Sequence, residues 1–210
     1  RMKKTGLLSI ALAVVFALSA NVSQASYIVN GSFEDPALNN GAWQVFNDAT
    51  VTGWYVTSGT GIEIQNNGAV PGASAFDGKQ LVELDSYSNS GMAQDISGLS
   101  AGSGYTLSFA YSPRPNQPAG TNGVSVYWNN ALLQSITGQV GGATTSWAPY
   151  SFVVYAQAGI NTLKFEATET SDSLGGYIDD VKLVPEPAAV FVWGFLSVVG
   201  VCWLRRRSRA

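Results

Sequence analysis

The chain has 210 residues, 11 of them basic and 14 acidic, with no histidine and one cysteine, Cys202. Between residues 26 and 187 only Lys79, Arg114, Lys164 and Lys182 oppose all 14 acidic residues, which leaves that stretch at −10. Imidazole triads, zinc sites built on His or Cys, thiol nucleophiles and disulfides are therefore excluded there. So much negative charge also excludes nucleic acid as a partner, and carboxylate, hydroxyl, amide and aromatic chemistry remain.

At the N-terminus Lys3 and Lys4 precede an apolar run from Leu7 to Leu18, and Ser23-Gln24-Ala25 supplies small residues at a cleavage site. This is the pattern of a secretory signal helix over residues 1–25, removed by signal peptidase. Residues 26–184 then have the length of one domain. Their Gly, Ser, Asn and Thr content and short alternating runs predict an all-β antiparallel sandwich. Strands are expected at 27–30, 51–56, 61–65, 80–85, 92–96, 105–112, 124–129, 132–136, 150–156, 162–168 and 177–184. Tyr105, Leu107, Phe109 and Tyr111 share one face of their strand, as one buried face requires. Asn129-Asn130 reads as a tight hairpin turn, because Asn tolerates positive φ. Two long stretches without alternation, 66–78 and 113–123, are expected loops and candidate rims of a site.

Three segments, Val29-Asn30-Gly31-Ser32-Phe33-Glu34, Phe76-Asp77-Gly78-Lys79-Gln80-Leu81-Val82-Glu83-Leu84 and Gly176-Tyr177-Ile178-Asp179-Asp180-Val181-Lys182-Leu183, together resemble the galactose-binding-like jelly roll of many carbohydrate-binding modules. Strict alternation puts Asp179 on one face with Tyr177, Val181 and Leu183, where a lone buried charge is costly, and Lys182 and Asp180 on the other. The resemblance implies a structural calcium held by Glu34, Asp77 and Asp179, with carbonyls from Ser32 and Lys79. Calcium suits an all-oxygen donor set outside the cell; alternatively, Glu34 and Asp77 only cap turns.

Sugar binding needs flat aromatic faces together with amides and carboxylates. By parity Trp128 belongs to the core with Val124 and Val126, whereas Tyr127 is exposed; Trp54 and Trp147 read as packing residues. Trp43, in an Asn-rich segment expected to be a loop, is the candidate platform. Glu83, Asp85, Arg114, Tyr127 and Asn129 are the candidate polar contacts.

The C-terminus has Pro185-Glu186-Pro187, an apolar run over 188–204, and Arg205, Arg206, Arg207 and Arg209. Seventeen helical residues span about 25 Å, near the lower limit for a transmembrane helix, and the arginines would stay cytoplasmic. Residues 185–210 resemble a PEP-CTERM sorting tail, which implies an exosortase as partner and transient inner-membrane anchoring before release to the cell surface or extracellular matrix. The whole predicts a non-catalytic exported protein associating with polysaccharide. A purely structural matrix protein without a small ligand is one alternative. A carboxylate-dependent glycan-active enzyme is the other: Glu83 and Asp85 would lie side by side rather than across a scissile bond, which leaves Glu63 and Glu166 open.

Overall fold

The computed structural model describes residues 25–47 and 50–186. The expected leader up to residue 24, Pro187, the apolar run 188–204 and the arginines after it lie outside the described residues. Eleven strands form: β1 (Trp43–Phe46), β2 (Tyr55–Ser58), β3 (Ile62–Asn66), β4 (Gln80–Glu83), β5 (Gly91–Ile96), β6 (Gly104–Ser112), β7 (Gly123–Trp128), β8 (Ala131–Ile136), β9 (Ala148–Tyr155), β10 (Asn161–Thr168) and β11 (Tyr177–Pro185). They make a six-stranded sheet in the order β1-β3-β4-β11-β6-β9 and a five-stranded sheet in the order β2-β5-β10-β7-β8, and every pairing is antiparallel. The expected all-β sandwich is therefore present.

Alternation accounts for the core. On β10 the residues Asn161, Leu163, Phe165 and Ala167 are buried while their neighbours are half-buried. Phe165 meets Phe109 of the facing sheet edge-to-face, with ring centroids 5.1 Å apart. Trp54 packs on Phe165 at 6.1 Å and on Phe33 at 5.4 Å, and its indole N–H donates to the Asn30 carbonyl. Such aromatic pairs stabilise by about 0.5–1.5 kcal/mol beyond their buried area. Asn129 and Asn130, at φ 49° and 65°, form the two-residue hairpin between β7 and β8, the expected turn.

Three expectations about local structure change. Residues 27–30 form bends instead of a strand, although the Tyr27 N–H donates to the Leu183 carbonyl and the Val181 N–H to the Gly31 carbonyl. A side chain at Gly31 would meet the Val181 carbonyl oxygen at 2.0 Å, so this N-terminal segment lies against β11 only because that position is glycine. Trp43 opens a strand rather than sitting in a loop. Finally, β11 carries a register shift between Asp179 and Lys182, with Asp180 at φ 52°. The bulge inverts side-chain parity. Ile178, Val181 and Leu183 all enter the core, whereas Tyr177 and Asp179 turn to the outer face of the six-stranded sheet.

Candidate functional site

That outer face carries one cross-strand row, Val45–Glu63–Glu83–Tyr177–Ser112, on β1, β3, β4, β11 and β6. In an open sheet these positions would be wet. Here Glu83, Tyr177 and Ser112 are fully buried and Glu63 is 5% exposed, because loops close over the row. Asp85 organises one of these loops. Its Oδ2 accepts from the Asp172 and Ser173 N–H groups at 2.8 and 3.1 Å, and the Ser171 hydroxyl donates to Oδ1. Arg114 lies in the loop after β6, anchored by its own N–H donating to the Asn122 side-chain oxygen at 2.8 Å.

Beside this row a pocket of ≈ 280 Å³ opens, lined by Trp43, Glu63, Gln65, Ser86, Arg114 and Ser173 with Ala69 and Val70. The volume lies just below the usual range for small-ligand sites and suits one compact unit, such as a single sugar ring. Trp43, 51% exposed, stands at its rim. The Gln65 amide donates to Glu63 Oε1 at 2.7 Å, and the Arg114 guanidinium carbon lies 5.9 Å from the centre of the Tyr177 ring.

The electrostatics are unusual for a surface depression. Glu83 is pushed up to about 8, first by burial and next by the Glu63 charge, against the pull of Arg114 and of the Asp85 and Gly175 N–H groups. Burial also raises Glu63, with Gln65 and Arg114 opposing, and it raises the Tyr177 phenol. Two carboxyls on adjacent strands in a poorly solvated place cannot both ionise easily. Glu83 Oε2, Gln65 Oε1 and the Tyr177 hydroxyl have no hydrogen-bond partner among the described residues, although all three side chains are buried. Unsatisfied buried polar atoms are uncommon, and here three lie on neighbouring strands, with the Gln65 amide near enough to the Tyr177 hydroxyl to favour its ionised form against burial.

The structure thus gathers Trp43, Glu83, Asp85 and Arg114 at one site, with Trp43 and Arg114 in its lining, Glu83 behind it and Asp85 bracing its loop. Tyr127 and Asn129 are elsewhere. They belong to β7 and its turn in the other sheet, where the Lys164 ammonium lies 4.2 Å from the Tyr127 ring centre and Asn129 caps the Thr162 N–H. Glu166 is also on that sheet, paired with Lys164 at 2.8 Å. Glu63 had entered only as an enzymatic alternative, Tyr177 only as a residue sharing a face with Asp179, and Gln65 not at all. The available signal was β3 itself, Ile62-Glu63-Ile64-Gln65, whose alternation aims both polar side chains outward.

The five residues implied for calcium are arranged differently. Asp179 Oδ2 accepts from the Phe76 and Asp77 N–H groups at 2.7 and 3.0 Å, and Oδ1 accepts from the Asp180 N–H at 2.6 Å. Glu34 Oε1 accepts from the Lys79 and Gln80 N–H groups, and the Lys79 carbonyl accepts from Asn67. Ser32 remains only a carbonyl in the tight turn before Glu34. N–H donors therefore point at Asp179 Oδ1 and Oδ2 and at Glu34 Oε1, three of the six carboxylate oxygens a cation could use. Among the described residues no three acidic side chains are grouped to hold a metal ion.

Of the tripeptide expected to be a sorting motif, Pro185 ends β11, the Glu186 N–H donates to the Gly104 carbonyl, and the Thr106 hydroxyl donates to the Glu186 carboxylate.

Fold and site together define an antiparallel β-sandwich module with a polar, acid-floored pocket on the outer face of one sheet. The chain belongs to the HpiC1-like family, described as HpiC1 cyclase, whose model matches residues 24–163. It is 29% identical over 80% of its length to a multifunctional-autoprocessing repeats-in-toxin protein of Vibrio cholerae serotype O1, of which it spans 3%. Its fold is similar to that of the Stig cyclase Fisc from Fischerella sp. TAU, with a TM-score of 0.56 at 15% identity over 76% of this chain and 96% of that one. A looser likeness, with a TM-score of 0.44 at 19% identity over 67% of this chain and 92% of that one, is to a family 35 carbohydrate binding module from an environmental isolate.

Proposed function

We propose that this protein is a non-catalytic, exported surface or matrix protein that binds polysaccharide through the Trp43 pocket. The observation that carries this reading is a half-exposed tryptophan standing over a carboxylate, an amide and a guanidinium in one depression. An aromatic face packs against the C–H groups of a sugar ring while the polar set exchanges hydrogen bonds with its hydroxyls. Similarity to a repeats-in-toxin protein supports an extracellular setting. A glycan array probed with purified full-length protein should show saturable binding, which Trp43→Ala weakens at least about tenfold, or roughly 1.4 kcal/mol. An array blank at every glycan would refute the reading in favour of a purely structural matrix role.

Delivery to the surface belongs to the same proposal. A signal peptidase removes residues 1–25, and an exosortase acts at the Pro185-Glu186-Pro187 tail after transient anchoring in the inner membrane. Intact-mass measurement of the native protein should show both ends missing. A mature form that retains Trp193 and Trp203 would count against the sorting step.

One observation favours a second reading, acid catalysis on a small molecule. Glu83 holds its proton to about pH 8 behind a pocket, in a family described by a cyclase. Substrate turnover abolished by Glu83→Gln with the fold intact would establish this reading over the first.

A further inference from the structure

Resting on the polysaccharide reading, the chemistry of the pocket narrows the ligand class. Its wall offers acceptors in Glu63 and Gln65 Oε1, and the Glu83 carboxyl lies behind it; Gln65 Oε1 and Glu83 Oε2 are buried and without partners among the described residues. A neutral sugar hydroxyl brings one donor and must itself be satisfied as an acceptor. An ammonium brings three donors and a compact positive charge. Arg114 fills this role only in part: its charge favours the ionised forms of Glu63 and Glu83 from a distance, but it forms no ion pair with a carboxylate among the described residues and lies over the Tyr177 ring. An anionic ligand drawn to Arg114 would have to sit against Glu63 and Glu83. A cationic one is attracted by Glu63, by Glu83 once its proton has left, by the face of Trp43 and by the −10 charge of the body at longer range, against the like charge of Arg114.

We propose that the Trp43 pocket binds a protonated primary amine carried on a sugar, so that the ligand is a polysaccharide with free amino groups on its hexosamine units. The ammonium is held by Glu63 and Gln65 with the Glu83 carboxyl behind them, and Trp43 covers the ring that bears it. An N-acetylated hexosamine is a poor ligand on this account, because its amide has one donor and no charge and places a methyl group against the carboxyls.

The site also implies a proton count. The groups facing Glu83 are Glu63 from β3, Tyr177 from β11, Arg114 from the loop after β6, and Asp85 just beyond β4. In the free protein this surrounding keeps a proton on Glu83 near neutral pH. A cation beside a carboxyl favours the ionised form. Binding at pH 6, where the hexosamine amine is already charged, therefore drives that proton to solvent, up to about one per site.

The experiment is calorimetric titration of purified full-length protein at pH 6 in two buffers of different ionisation enthalpy. The probes are a glucosamine tetramer and its fully N-acetylated counterpart. The expected result is binding of the free-amine tetramer at least about tenfold tighter, or ~1.4 kcal/mol, with an enthalpy difference between buffers that reports proton release. Glu83→Gln should abolish the proton release, Glu63→Gln should weaken the amine preference, and Trp43→Ala should weaken binding of the free-amine tetramer. Equal affinity for the two tetramers, or binding of the acetylated one alone, would overturn the amine class and leave the polysaccharide reading standing. Silence from both tetramers while a neutral glycan binds on the array would also overturn only this inference. Silence from every glycan would remove the reading beneath it.

Discussion

Raising the pH from about 5 to about 9 should lower the melting temperature of this protein, and Glu83→Gln should remove about half of that dependence. Glu83 in the folded chain holds its proton up to about 8, well above its ordinary value of 4.5. Below the ordinary value the carboxyl is protonated in both folded and unfolded chains and costs nothing. Between the two values the unfolded chain releases the proton and the folded chain keeps it. Stability then falls as pH rises, by up to about 1.4 kcal/mol per pH unit for one group, and the loss is complete above the folded value. Asp179, raised to about 7 chiefly by burial, adds a loss of the same sign over a slightly lower window. Glu83→Gln keeps the shape and cannot ionise. The variant should therefore melt above the parent at pH 9 and at or below it at pH 5. Parallel melting curves for parent and variant across this range would show that Glu83 is ordinarily ionised and that the pocket floor is wetter than its burial implies.

The second large effect belongs to Asp179. Its carboxylate answers three N–H groups, those of Phe76, Asp77 and Asp180, and ties the loop before β4 to the bulge of β11. Asp179→Ala leaves three partly buried donors without partners, each costing roughly 1–3 kcal/mol. A loss of about 3 kcal/mol or more is expected, equivalent to a fall in melting temperature on the order of 10 °C for a domain of this size. Asp180→Asn is the control. Asn tolerates the positive φ at this position, and the change removes only the 2.5 Å pair with Lys182, whose side chain is half exposed. That should cost under about 1 kcal/mol. Because amides already satisfy Asp179 and Glu34, melting curves of the parent in excess calcium and in chelator should superimpose. A calcium-dependent rise abolished by Asp179→Asn would restore the metal to this site.

Much of the fold is legible because β6 and β10 obey strict alternation and because the Asn129-Asn130 pair can adopt the turn that joins β7 to β8. The failures have local causes. The four residues of β1 sit among Asn and Gly, too short a run to register as a period, so Trp43 looked like a loop residue. A bulge at Asp180, invisible to a period-two count, carried Asp179 out of the core. Trp43, Glu83, Asp85 and Arg114 were recognisable as polar and aromatic groups near loops. That Tyr127 and Asn129 lie on the other sheet depends on strand order, which alternation does not encode. Alternation alone leaves Glu63 and Gln65 on an outer face, and only the loops that carry Ala69 and Val70, Arg114, and Ser173 make that face an interior.

Proton–nitrogen correlation spectra recorded while the best-binding glycan is titrated in would test the central claim most directly. The body contains four tryptophan indoles, at Trp43, Trp54, Trp128 and Trp147, so the binding face can be read from a few resolved signals. The account expects the Trp43 indole and the Gln65 side-chain amide to shift with saturation while the buried Trp54 and Trp128 indoles stay in place. Shifts centred on Tyr127 and Lys164 of the five-stranded sheet, with Trp43 unmoved, would contradict it.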